Sequence, residues 1–204
     1  MSASPKRDRR AERFQATRQE ILDVAWEMVR ADGLAALSMR ELGARVGMRA
    51  QSLYLYFPSK HAIYDAMFAS ANGELLDRLE QLQPDPDPAT AVRGPARVFV
   101  EFSTEDPVRY QLLFQRTIPG FEPSEESYAV AREVFALGNR ALAEIGITDP
   151  GDIDVYTALV AGVAAQQNSN EPGGSRWTRH LDRMLEMYLA AVAPHQGGDP
   201  ASHR

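Results

Sequence analysis

The chain has no cysteine. That excludes a disulfide framework, a cysteine nucleophile and thiolate metal sites, and it suits a reducing compartment such as the cytoplasm. Histidine is nearly as scarce, with four residues: His61, His180, His195 and His203. Only His180 falls in the body of the chain, so a metal centre would have to pair it with Asp152 and Asp154. Those carboxylates, like Glu125 and Glu126, read better as first-turn charges that complement a helix dipole. No glycine-rich phosphate loop or nucleophile motif occurs, so the sequence predicts no enzyme, no metal and no cofactor. Long apolar runs are missing too. The longest uncharged stretch, residues 155–170, is apolar for only its first eleven residues, too few to cross a bilayer. The opening Met1-Ser2-Ala3-Ser4-Pro5-Lys6-Arg7 has no apolar leader. The expectation is a soluble, cytoplasmic protein without a membrane partner. Sustained period-two alternation is absent, which predicts an all-α fold.

Acidic residues are not scarce overall, for the formal net charge is −6. They are unevenly placed. Residues 1–60 hold eleven Lys/Arg against seven Asp/Glu, a net of +4, whereas residues 61–204 hold eleven against twenty-one, a net of −10. A basic N-terminal part suits a polyanionic partner. Lys6, Arg7, Arg9, Arg10 and Arg13 supply five of the eleven cations, as a basic arm over residues 1–13 that either follows DNA or is simply solvated. With 204 residues, 44% of them hydrophobic, the chain can form a small head and a larger body.

Residues 38–60 carry the most specific pattern. Ser38 followed by Glu41 is a capping box that starts a short helix, with Met39, Leu42 and Val46 on one face and Arg40 and Arg45 turned away. Gly47 ends it, because glycine enters the left-handed conformation without a steric cost. A second helix over residues 49–57 buries Leu53 and Phe57 and leaves Arg49, Ala50, Gln51, Ser52, Tyr54 and Tyr56 available to a partner. This is the layout of a helix-turn-helix that enters the major groove of double-stranded DNA. Arg49 at a helix start opposes the dipole and supplies no cap, a cost of about 1 kcal/mol that a nearby polyanion would reverse. It is read as a bidentate donor to guanine, and Gln51 as a reader of adenine. Ser52, Tyr54, Tyr56 and Lys60 suit phosphate oxygens, Lys60 at the start of the helix that Pro58 and Ser59 introduce. For Tyr54, packing of its ring in the small core is the rival reading.

The run from Thr17 to Phe68 resembles the DNA-binding domain of the tetracycline-repressor (TetR) family. It does so through Thr17-Arg18-Gln19-Glu20-Ile21-Leu22, Asp32-Gly33-Leu34, Gly47, Leu53-Tyr54-Leu55-Tyr56-Phe57 and Ser59-Lys60. The resemblance implies a three-helix head on an all-α homodimer that releases a palindromic operator when a small molecule binds. One departure is Arg49, where the family commonly has a small hydroxyl residue. In the body, residues 106–114 and 155–162 resemble the regulatory domain of a TetR subgroup marked by a Trp-His-Gly motif, with Tyr156 and Ala161 standing for its Trp and His.

The remaining segments read as helices. One over residues 14–31 packs the head, which occupies residues 14–60, and a connecting helix follows over residues 61–83. Alternating Pro84, Pro86 and Pro88 form a stiff spacer. An effector-binding and dimerisation domain over residues 84–192 holds helices near 89–104 (with Pro95 starting or kinking it), 107–115, 124–145, 151–167 and 174–192. A disordered tail covers residues 193–204. In the body Phe99, Phe102, Tyr110, Phe114, Tyr128, Phe135, Tyr156 and Trp177 could line an apolar effector cavity or be ordinary core. Gln166, Gln167 and Asn168 are possible polar contacts or a helix-end surface. Ala158, Ala161, Gly162 and Ala165 would admit a partner helix closely, and Leu181, Met184, Leu185 and Tyr188 belong to a wide apolar stripe. Together they predict a four-helix homodimer seam, with an intramolecular core as the rival. The function that follows is a ligand-responsive DNA-binding repressor, ahead of a helical interaction protein without operator binding and of a small helical enzyme.

Overall fold

The computed structural model describes residues 9–83 and 87–192. Most of the basic arm, residues 84–86 of the proline spacer and the whole tail lie outside them. Among the described residues there is no strand, as expected for an all-α protein. The helices are α1 (Arg9–Asp32), α2 (Met39–Arg45), α3 (Ala50–Leu53), α4 (Lys60–Glu80), α5 (Pro88–Glu105), α6 (Pro107–Phe114), α7 (Glu125–Glu144), α8 (Pro150–Asn170) and α9 (Leu181–Val192). Two 3₁₀ turns, Leu34–Ala36 and Thr178–His180, precede α2 and α9.

The chain divides into two compact units, Met1–Ala71 with Gln111–Tyr128, and Asn72–Tyr110 with Ala129–Arg204. In the first, α1 turns Ile21, Leu22, Ala25, Met28 and Val29 inward at helical spacing, and Leu34, Leu37, Leu42, Leu53, Phe57, Ile63 and Met67 are buried in the same unit. Gly33, at φ +84°, ends α1, and its N–H donates to the Val29 carbonyl at 2.8 Å. Tyr64 is fully buried, and its hydroxyl donates to the Leu34 carbonyl. The sequence did not mark out residues 111–128 as part of this unit.

The second unit has its core where α5, α8 and α9 meet. Val92, Ala96 and Val100 of α5 face Tyr156, Val160 and Val163 of α8 and Leu181, Leu185 and Tyr188 of α9, with Leu142 and Ile147 closing it. Asp149 caps α8, accepting from Gly151 N–H at 2.8 Å, and Pro150 occupies the first turn where its missing N–H costs nothing. Pro95 lies inside α5, which continues through it instead of starting there. The last helix does not run from residue 174. Its proposed first turn is a loop held by side chains of α8 and its C-cap. The Glu171 carboxylate accepts from the N–H groups of Ser175 and Arg176, and Gln167 Oε1 accepts from those of Trp177 and Thr178. Gln167 is fully buried in this role, so it is a structural clamp and not a free polar contact.

The same packing corrects part of the expected seam. Leu181, Leu185 and Tyr188 are spent on the chain's own core, at 4%, 0% and 5% exposure, because α9 must cover α5 and α8. Ala158 is exposed and Ala161, Gly162, Ala165 and Met184 are half-buried, with Val155 and Met187 exposed on the same two helices.

Candidate nucleic-acid interface

The reading head is built on two short helices held at a close approach. Ser38 Oγ accepts from the Glu41 N–H at 3.2 Å and starts α2. The reciprocal half of the capping box is not made, because the Glu41 carboxylate takes Arg45 instead, at 2.7 Å. Arg45 also lies 3.5 Å from Asp32, so this cation is neutralised locally. Helix α2 ends in a Schellman motif: Met48 N–H donates to Gly43 C=O at 2.8 Å and Gly47 N–H to Ala44 C=O at 3.2 Å, with Gly47 at φ +73°. Gly43 is the close-contact point that the sequence reading missed. A Cβ there would lie 3.0 Å from the Met48 carbonyl oxygen and 3.4 Å from the Ala50 nitrogen.

Arg49 is the N-cap of α3, extended at φ −69° and ψ 143°, and its side chain makes no capping bond, as its position in the sequence implied. The regular part of α3 is only Ala50–Leu53, shorter than residues 49–57, and a turn carries the chain on to Phe57. Leu53 and Phe57 are fully buried. Arg18 of α1 braces this segment from behind: Nη1 donates to the Tyr56 carbonyl at 3.2 Å, and the guanidinium lies 4.3 Å from the Phe57 ring centre. The Tyr56 ring stacks on Phe14 at 4.8 Å, which leaves it half-buried. Tyr54 is 49% exposed, so its ring does not pack in the core.

Arg40, Arg49 and Gln51 are exposed, and Ala50 and Ser52 half-buried. Among the described residues neither Arg40 nor Arg49 has an acidic partner, in contrast to Arg45. Lys60 is the first residue of α4, where Ser59 Oγ accepts from the Ala62 N–H at 3.1 Å. Its ammonium sits 5.7 Å from the Tyr64 ring centre. Cations and donors thus collect along α3 and at the start of α4, where free backbone N–H groups already favour an anion. A second contact set in this unit was not foreseen. Phe121 lies edge-on to His61 at 5.9 Å, and Asp65 accepts from Ser124 N–H at 2.7 Å and from the Ser124 and Ser127 hydroxyls at 2.9 Å. Asp65 lies far from Ser124 in sequence, so no local pattern signals the pairing.

In the second unit the aromatic residues differ in their surroundings. Phe102 is buried beneath Arg109, whose guanidinium is 3.6 Å from the ring centre and donates to Glu74, Glu105 and the Phe102 carbonyl. Hydrogen bonding to Arg78 holds the Glu105 carboxyl below its usual range. Tyr110 is buried, and so is Tyr156, whose hydroxyl donates to the Val92 carbonyl at 3.0 Å and whose pKa burial pushes well up. Phe99 packs against the core, and Phe135 is 53% exposed. Trp177 is half-buried with its indole N–H unpartnered, as are the Ser103 hydroxyl and the Asn168 amide oxygen. Phe114 and Tyr128 fall in the first unit. A cleft of about 580 Å³ opens instead beside the end of α4, lined by Leu79, Leu82, Gly94, Pro95, Leu137 and Arg140 among others. None of the eight aromatics lines it.

A short second helix capped by the exposed Arg49, with Lys60 at the start of the next helix, is the arrangement of a helix-turn-helix that reads DNA. Residues 21–67 match the family described as bacterial regulatory proteins, tetR family. Over 92 residues the chain is 30% identical to the nucleoid occlusion factor SlmA of Photorhabdus laumondii, a stretch covering 44% of this chain and 46% of that protein. Over 159 residues it is 27% identical to the HTH-type transcriptional regulator Rv1816 of Mycobacterium tuberculosis, covering 74% and 64% of the two. The matches therefore span about half to two thirds of these relatives' lengths. The fold is shared with the transcriptional regulator FadR of Bacillus subtilis, solved in complex with stearoyl-CoA, at a TM-score of 0.68 over 85% of this chain and 98% of that one with 14% identity. The likeness to the tetR family thus lies in residues 21–67, which hold the helix-turn-helix.

Proposed function

We propose that this protein is a ligand-responsive transcriptional repressor that binds a palindromic operator as a homodimer and releases it when a small, largely apolar effector binds. The observation that carries the reading is the placement of Arg49, Gln51 and Tyr54 on the exposed side of α3, with Lys60 at the start of α4. Arg49 and Gln51 are assigned to base edges. Arg40, Ser52, Tyr54, Tyr56 and Lys60 are assigned to the phosphate backbone, and Ala50 to close approach in the groove. Half-buried Ala161, Gly162, Ala165 and Met184 with exposed Ala158, Val155 and Met187 support a seam on α8 and α9. For the effector, the cleft at Leu79, Leu82, Pro95, Leu137 and Arg140 has the volume of a small-molecule site, beside the aromatic residues of the body as the other candidate lining. The stearoyl-CoA bound to FadR favours an amphipathic molecule of this kind.

Selection of fragments from a random duplex library by the purified full-length protein tests the reading. Enrichment of a two-fold symmetric site, bound at two chains per duplex, is expected. A chain that remains monomeric and enriches nothing at low salt refutes it.

A further inference from the structure

One outward side chain of the reading segment is neither charged nor polar. Leu55 is 76% exposed, more than any other large hydrophobic residue described. It sits two residues after Leu53 and two before Phe57, both fully buried. The backbone keeps a helical course there: Leu55 N–H donates to Ser52 C=O at 3.2 Å, and the N–H groups of Tyr56 and Phe57 donate to Leu53 C=O at 3.0 Å. In such a turn a residue two places from each of two buried neighbours points directly away from the core. Gln51 stands four residues earlier, on the same face.

A single exposed leucine means little on an ordinary surface. This one is on the surface that, under the proposed function, enters the major groove. There the only apolar feature a base edge presents is the 5-methyl group of thymine. Gln51 has the chemistry for adenine, and the thymine paired with that adenine, or the next one along, carries its methyl beside the contacted edge. We infer that Leu55 is a specificity-determining residue that packs against a thymine 5-methyl group next to the base pair read by Gln51. The contact rests on the DNA-reading function and adds to it a preference that no polar residue of the head supplies.

The test uses the full-length protein and the duplex it selects, with each thymine replaced in turn by deoxyuridine, which removes the methyl and nothing else. At one thymine per half-site the wild type should lose about fourfold in affinity, the worth of one buried methyl group. Leu55→Ala should bind the thymine and deoxyuridine duplexes alike, and Leu55→Met should restore the difference. The exposure of Leu55 makes all three proteins fold alike, which their melting midpoints verify. Wild-type affinity that ignores every deoxyuridine substitution, or a full methyl effect persisting in Leu55→Ala, overturns the contact while leaving DNA reading intact. Absence of any selected duplex overturns both.

Discussion

At the scale of single residues, the two arginines of the head illustrate how a partner decides what a charge does. Arg45 sits 2.7 Å from Glu41 and 3.5 Å from Asp32, and an ion pair this exposed contributes little to stability while it offsets the charge offered to an outside anion. Among the described residues Arg49 has no such partner, and it occupies a cap position it cannot satisfy. Replacing it by alanine should relax the preference at one base position and cost ~1–3 kcal/mol on the preferred site. Replacing Lys60 by alanine should weaken binding to all duplexes alike and flatten the dependence of log affinity on log salt by about one unit. Fluorescence anisotropy at several salt concentrations, on the selected site and its single-base variants, separates the two effects. An Arg49 variant that loses equally on every sequence would place that side chain on phosphate.

At the scale of elements, the helices that were legible in the sequence are those with local punctuation. Ser38 and Gly47 bracket α2, Asp32-Gly33 ends α1 and Ser59 opens α4, all within a few residues of where their chemistry takes effect. What was illegible depends on distant neighbours. The shortening of the last helix follows from Gln167 and Glu171 capturing the backbone of residues 175–178, and the Asp65–Ser124 pairing joins segments far apart in sequence. Leu181, Leu185 and Tyr188 read as an interface because an amphipathic stripe does not say which surface it meets. Gly43 was overlooked because the need for it comes from the backbone of α3 and not from its own helix. Gly43→Ala should destabilise the head by about 1–3 kcal/mol, since the obstacle is a carbonyl that cannot rotate away. The expected signature is a lower melting midpoint by circular dichroism together with loss of duplex affinity. An unchanged midpoint would show that α3 shifts freely.

At the scale of the whole molecule, charge governs the response to pH. Asp182 is held below its usual range by Arg97, and Glu105 by Arg78. Because the folded-state values are lowered, this stabilisation is complete above the ordinary carboxylate range and is lost as pH falls through the lowered values. The melting midpoint should therefore be flat from neutrality down to about pH 5 and decline below about pH 4. Asp182→Asn should remove only part of that slope, since these pairs are solvent-exposed. The brevity of α3 has a wider reach. Four residues cannot sustain a helix unaided, so the register of the exposed Arg49, Gln51 and Tyr54 is imposed by interior neighbours such as Leu42, Leu53 and Phe57. Under the proposed function, a genetic screen for lost repression would recover two kinds of allele: surface changes that spare thermal tolerance, and hidden ones, as harmful to promoter control, whose carriers fail first when the culture is warmed.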